Sequence, residues 1–125
     1  MPSPCHIVIE GNPALIYASR NGSPDRVLPT LSRFLETFWQ ERDISGETAD
    51  TPECLVAQIV VRFGFEICED DYSNLRVGMK YYPDVEYLYV VGSNRQIQIW
   101  VPEAAYRQQP SLGLQACREL VLDAK

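Results

Sequence analysis

The sequence predicts a single α+β domain over residues 1–125, an antiparallel sheet of about five strands with its helices packed on one face. Three observations carry that reading. Apolar residues recur with a 3.6-residue period from Val27 to Trp39, alternation returns in three runs between Leu75 and Val101, and the elements run strand, strand, helix, helix, strand, strand, strand, helix. That order segregates the helices from the strands, whereas a parallel α/β fold interleaves them.

Cys5 to Glu10 and Ala14 to Ser19 are rich in β-branched and aromatic residues, and Gly11-Asn12-Pro13 between them favours a turn, so the pair reads as an antiparallel hairpin. Val27, Leu28, Leu31, Phe34, Leu35, Phe38 and Trp39 then form one wide helical stripe. Ser23-Pro24-Asp25 supplies start chemistry, but Pro29 lacks a donor and is tolerated only in a first turn, which places the regular helix from near Arg26 to near Arg42. Asp43 to Asp50, polar apart from Ile44, reads as a connector.

Thr51-Pro52-Glu53 opens a second helix: a capping hydroxyl, a preorganised first residue and an acid against the helix dipole. Leu55, Val56, Ile59, Val60 and Phe63 face one way. Gly64 is a candidate stop, and residues 64–68 read equally as helix or strand. After the polar turn Glu69 to Asn74, the runs Leu75-Val77-Met79-Tyr81 and Val85-Tyr87-Tyr89-Val91 alternate as strands. Gly92 to Arg95 makes a hairpin loop, Ile97, Ile99 and Val101 form the last strand, and Pro102 ends its pairing. Leu114, Cys117, Leu120 and Val121 give a terminal helix its buried side.

Charge narrows the partners. Eleven Lys and Arg against 17 Asp and Glu leave a formal charge of −6, a field that repels phosphate backbones and anionic lipid heads. Neither nucleic acid nor a membrane is the expected partner. The amino terminus lacks the basic flank and long apolar run of a signal peptide, and the apolar stretches fall far short of the roughly 20 residues a span needs, so cytoplasm is the expected compartment. Cys5, Cys54, Cys68 and Cys117 lack any Cys-x-x-Cys spacing and read as reduced core thiols.

Catalytic and metal motifs are scarce. His6 is the sole histidine and reads as a partly solvated strand residue, leaving no partner set for nucleophilic catalysis or zinc. Glu69-Asp70-Asp71 lacks the alternating ligands and glycine of a calcium loop, and Asp84 and Glu86 read as solvent-facing. Phosphate-binding glycine patterns are absent, so no cofactor is expected. The loop Arg20-Asn21-Gly22-Ser23-Pro24 sets a cation and an amide just ahead of a helix start; with Tyr17 or Tyr72 it forms a candidate small-ligand pocket. Aromatics concentrate in the second half, and Tyr87, Tyr89, Gln96, Gln98 and Trp100 make a candidate contact patch for a protein partner or a second copy of the chain.

Four segments together resemble a family of small bacterial and phage α+β domains that has no assigned activity. The family pattern joins a Tyr-Arg-His-x-Asp-Gly-x-Pro loop to a helix opening Leu-Pro-x-Leu, a second helix with an Ala-Gln pair and a Glu-Tyr-x-Tyr strand. The matching residues are Tyr17, Gly22 and Pro24, then Val27-Leu28-Pro29-Thr30-Leu31, then Leu55-Val56-Ala57-Gln58, and Glu86-Tyr87-Leu88-Tyr89-Val90. Ala18-Ser19 stands where the pattern has Arg-His, and Asn21 where it has aspartate. The resemblance implies a fold arrangement and no reaction. The functional expectation is a non-enzymatic interaction or regulatory module acting through an exposed aromatic sheet face; the alternative is a small-ligand binder or enzyme with a pocket near Arg20-Asn21.

Overall fold

The computed structural model describes residues 3–46, 51–66 and 75–121. It is a mixed α+β fold built on one sheet. Strand β1 (Cys5–Ile9) turns through Gly11-Asn12 into β2 (Leu15–Ala18), and the long helix α1 (Pro24–Ser45) follows. Helix α2 (Thr51–Glu66) precedes β3 (Leu75–Gly78), β4 (Tyr87–Val91) and β5 (Ile97–Pro102). A short helix α3 (Ala104–Gln108), a 3-10 stretch (Pro110–Ala116) and β6 (Cys117–Leu120) complete the described chain.

The six strands lie in the order β3-β2-β1-β4-β5-β6. The sheet is mixed, with six strands where about five antiparallel ones were expected: β1 and β4 at its centre are parallel, with Ile7 opposite Tyr89, and the other pairs are antiparallel. The chain lays β3 on the free edge of β2 and then crosses back to place β4 on the free edge of β1. A short buried apolar run reads alike in either direction, so the orientation depends on this non-local route.

Local chemistry sets the helix ends. Ser23 keeps extended dihedrals while its carbonyl accepts from the amides of Arg26 (3.0 Å) and Val27 (2.9 Å), and Pro24, with its fixed φ, occupies the first turn. Helix α1 therefore starts before Arg26, and Pro29 lies inside it at an exposed position, held by the buried Val27 and Leu31 on either side. It also outruns Arg42 by three residues, to Ser45, and stops at Gly46, whose left-handed φ of 75° lets its amide return to the Arg42 carbonyl at 2.9 Å. Helix α2 carries the chain as helix through Glu66; residues 67 and 68 lie outside the described residues.

The main core lies between one sheet face and the two long helices. Cys5, Ile7 and Ile9 of β1, Ile16 and Ala18 of β2, Tyr89 and Val91 of β4 and Ile99 of β5 alternate onto that face. They meet Val27, Leu31, Phe34, Leu35 and Phe38 of α1 and Leu55 and Ile59 of α2. Cys5, Cys54 and Cys117 carry no disulfide.

Two expectations fail near the carboxyl terminus and before β4. The terminal helix is instead the 3-10 stretch followed by β6, which pairs with β5 from Pro102 opposite Cys117 to Ile99 opposite Leu120. Gly113, at φ 63° and ψ −139°, breaks the helical path, and the unpaired edge of β5 offers Cys117 to Leu120 a ladder. The strand expected to reach Tyr81 ends at Gly78, and the chain then leaves the edge of β2 for the second face, where the Tyr82 amide donates to His6 Nε2. Nor are all helical segments on one face. Tyr106 of α3 and Ala116 of the 3-10 stretch pack with Tyr17 and Leu88 on the second face.

Candidate functional site

Strand alternation sends His6 and Val8 of β1, Tyr17 of β2, Arg76 of β3, Leu88 and Val90 of β4, and Gln98 and Trp100 of β5 to the face away from α1 and α2. This second face has a covered half and an open half. Over the covered half, Tyr17, Val85, Leu88, Tyr106 and Ala116 form a smaller core, flanked by Tyr81, Tyr82, Trp100, Leu114 and Cys117.

His6 is the centre of the covered half and has no exposed surface, in contrast to the solvated strand residue expected. Its Nδ1 lies 3.2 Å from the Ile16 carbonyl, which can only accept, so Nδ1 carries the proton. The Tyr82 amide donates to Nε2 at 2.8 Å, so Nε2 is the bare nitrogen. Burial lowers the imidazole below its ordinary value, outweighing the Ile16 bond and the charge of Asp84, and the ring is neutral. With both nitrogens engaged, His6 is a cross-link between β1, β2 and the chain before β4, with no lone pair to offer a substrate.

Aromatic rings enclose it. Tyr17, Tyr81 and Tyr82 meet the imidazole edge-on at 5.6 to 5.8 Å, and Tyr17 stacks on Tyr82 at 4.0 Å. The Tyr17 hydroxyl donates to Asp84 Oδ2 at 3.0 Å, and burial with that carboxylate pushes the phenol up to about 12. Arg76 sits about 6 Å from the Tyr17 and Tyr82 ring centres. The Tyr106 hydroxyl donates to the Tyr82 carbonyl at 2.6 Å, and Arg107 donates to the Pro83 carbonyl. Each polar group here serves to anchor the segment from Tyr81 to Glu86. Burial pushes the thiol of Cys117 nearby up to about 11, away from the thiolate form.

The open half is a depression of about 590 Å³ at the end of the sheet where the β1–β2 and β4–β5 turns meet. Val8, Val90 and Gln98 form its floor and Leu114 closes one side. The rim consists of Glu10, Asn12, Asn94 and Gln96. The two turns are tied together, because the Ser93 amide donates to Glu10 Oε1 at 2.6 Å, and that bond holds the Glu10 carboxyl below its usual range. Asn12 and Asn94 brace their own turns by accepting from the amides of Ala14 (2.9 Å) and Gln96 (3.0 Å). Among the described residues, one carboxylate, several amides and no cation line the depression.

The expected contact patch therefore divides. Gln98 and Trp100 share the second face, where the Trp100 indole donates to Gln98 Oε1 at 3.4 Å, and Gln96 stands on the rim. Tyr87 and Tyr89 point the other way, into the helix-covered core. Tyr89 is fully buried with its hydroxyl donating to the Gly22 carbonyl at 2.6 Å, so it cannot belong to the same surface. Of the expected ligand pocket, Tyr17 is committed to the His6 cluster, Arg20 and Asn21 lie on the loop between β2 and α1, and Tyr72 lies outside the described residues. Sequence reasoning missed Val8 and Val90, whose face follows only from register, and the Glu10–Ser93 tie, which joins residues 83 apart.

Among the described residues, no group of three or more His, Cys, Asp or Glu stands together as a metal-ligand set, and no helix is long and apolar enough to cross a membrane. Comparison with protein-family models, curated proteins and solved structures returns no match to the chain.

Proposed function

We propose that the protein is a non-enzymatic binding module that takes an extended, basic, amide-rich peptide segment of a partner protein in the depression on the second sheet face. The observation that carries this reading is the lining: an apolar floor of Val8 and Val90, hydrogen-bonding amides of Gln98, Asn94 and Gln96, and Glu10 as the one charge. Apolar floor plus polar rim is the composition of a recognition surface, and a carboxylate with no cation beside it in the lining of the depression favours Lys or Arg in the occupant. The formal charge of −6 favours the same encounter at long range. The titratable residues on this face support a binding role, since His6, Tyr17 and Tyr106 spend their polar atoms inside the protein.

Selection from a displayed random peptide library tests the proposal. The recovered peptides are expected to be enriched in Lys and Arg and to lose binding at least tenfold to a Gln98→Arg variant, a loss of about 1.4 kcal/mol. Peptides that bind Gln98→Arg as tightly as the natural chain contradict the assignment of the surface. Concentration-dependent dimerisation abolished by Gln98→Arg would make a second copy of the chain the occupant instead.

A further inference from the structure

We infer that His6 is an acid-operated latch on the sheet-face depression: protonation expels the Tyr82 amide and unseats the segment from Tyr81 to Glu86, while the sheet and the two long helices stay folded. The two imidazole contacts fare differently. Nδ1 already donates to the Ile16 carbonyl, so the added proton goes to Nε2, 2.8 Å from the Tyr82 nitrogen. There it sets one N–H against another around a side chain with no exposed surface, where water cannot accept in place of the lost partner.

Anchorage decides which side yields. Ile16 belongs to β2, which is paired with β1 on one side and β3 on the other. Tyr82 belongs to chain outside the sheet, held from the β1 side by His6 and Pro4 and from the α3 side by Tyr106 and Arg107. The titratable and charged groups on the elements packed here are Tyr17 of β2, Arg76 of β3, Tyr81, Tyr82 and Asp84 of the segment, Tyr106 and Arg107 of α3 and Cys117 of β6. Among them Asp84 acts on the imidazole by charge and favours the protonated ring, whereas burial disfavours it more strongly, so the release lies below about pH 6.5.

The segment also supports the depression. Tyr81 packs edge-on against His6 at 5.6 Å, and so close to Gly113 that a Cβ there would lie 2.9 Å from its ring. The next residue, Leu114, closes one side of the depression, so unseating Tyr81 removes the backing of that wall and weakens peptide binding. This last step rests on the peptide-binding reading, and the release does not.

Hydrogen exchange of the chain without peptide, corrected for intrinsic rates at pH 7.5 and 5.0, reads the release alone. Protection of the Tyr82 and Glu86 amides, bonded to His6 and to the Pro4 carbonyl, should fall by about tenfold or more at pH 5.0 while Ile7 and Tyr89 keep theirs. His6→Gln, which offers a donor and an acceptor but takes up no proton, should hold both amides. Tyr106→Phe removes the bond to the Tyr82 carbonyl and should shift the release to higher pH by about half a unit. Unchanged Tyr82 and Glu86 protection, an equal loss across the whole sheet, or the same loss in His6→Gln overturns the latch. Affinity for a library-selected peptide should fall at least fivefold over the same range, in which Glu10, held below the usual carboxyl range, stays ionised. Release with unchanged affinity overturns the link to the depression, whereas a chain that binds no peptide at pH 7.5 contradicts the peptide reading and leaves the exchange result to decide the latch.

Discussion

His6 illustrates how one buried titratable side chain ties local chemistry to stability. Its folded value is lowered, so the unfolded chain takes up a proton that the folded chain resists as pH falls through about 6.5. The stabilisation is complete above that pH and is lost as pH falls toward the folded value, with a slope of up to about 1.4 kcal/mol per pH unit. Urea unfolding at pH 7.5, 6.5 and 5.5 should therefore show the natural chain losing stability between the last two points faster than a His6→Gln variant. Parallel losses would show that His6 takes up no extra proton on unfolding. The apolar stripe of α1 was legible residue by residue, because burial follows from a local period. The role of His6 was not, because its two partners are the Ile16 carbonyl and the Tyr82 amide, the latter 76 residues away, and backbone groups leave no mark in a sequence.

Among the elements, the hairpin of β1 and β2, the two long helices and the hairpin of β4 and β5 were all legible from periodicity and turn chemistry. The carboxyl-terminal segment was not. Leu114, Cys117, Leu120 and Val121 fit a helical face, yet Gly113 takes a conformation closed to other residues and Cys117 to Leu120 pair with β5. A Cβ at Gly113 would lie 2.9 Å from the Tyr81 ring, and its positive φ adds strain whatever room is made. Gly113→Ala should thus destabilise by about 2 kcal/mol in urea unfolding. Gly78→Ala, which meets nothing within 4 Å, should stay within about 0.5 kcal/mol and serves as the control. Equal effects would place the 3-10 stretch outside the cooperative fold.

For the whole molecule, the consequence of the mixed sheet is a gradient of protection. β1 and β4 are paired on both sides at the centre, whereas β3 is an edge strand with Val77 50% exposed. Amide hydrogen exchange should accordingly be slowest for Ile7, Leu88 and Tyr89, near the global unfolding limit, and markedly faster in β3. Uniform rates across the sheet would contradict this order. The same topology explains why the candidate surface was only half visible beforehand. Gln98 and Trp100 share a face by alternation within one strand, but assigning Tyr87 and Tyr89 to a face requires knowing which side of β4 meets the helices, a fact set by its register with β1.

The binding face itself is tested most directly by two-dimensional NMR of the 15N-labelled protein titrated with a peptide from the library selection. Amides of Val8, Val90, Gln98 and Leu114 should shift together while those of α1 stay in place. Shifts confined to α1 and α2, with the second face silent, would contradict the account.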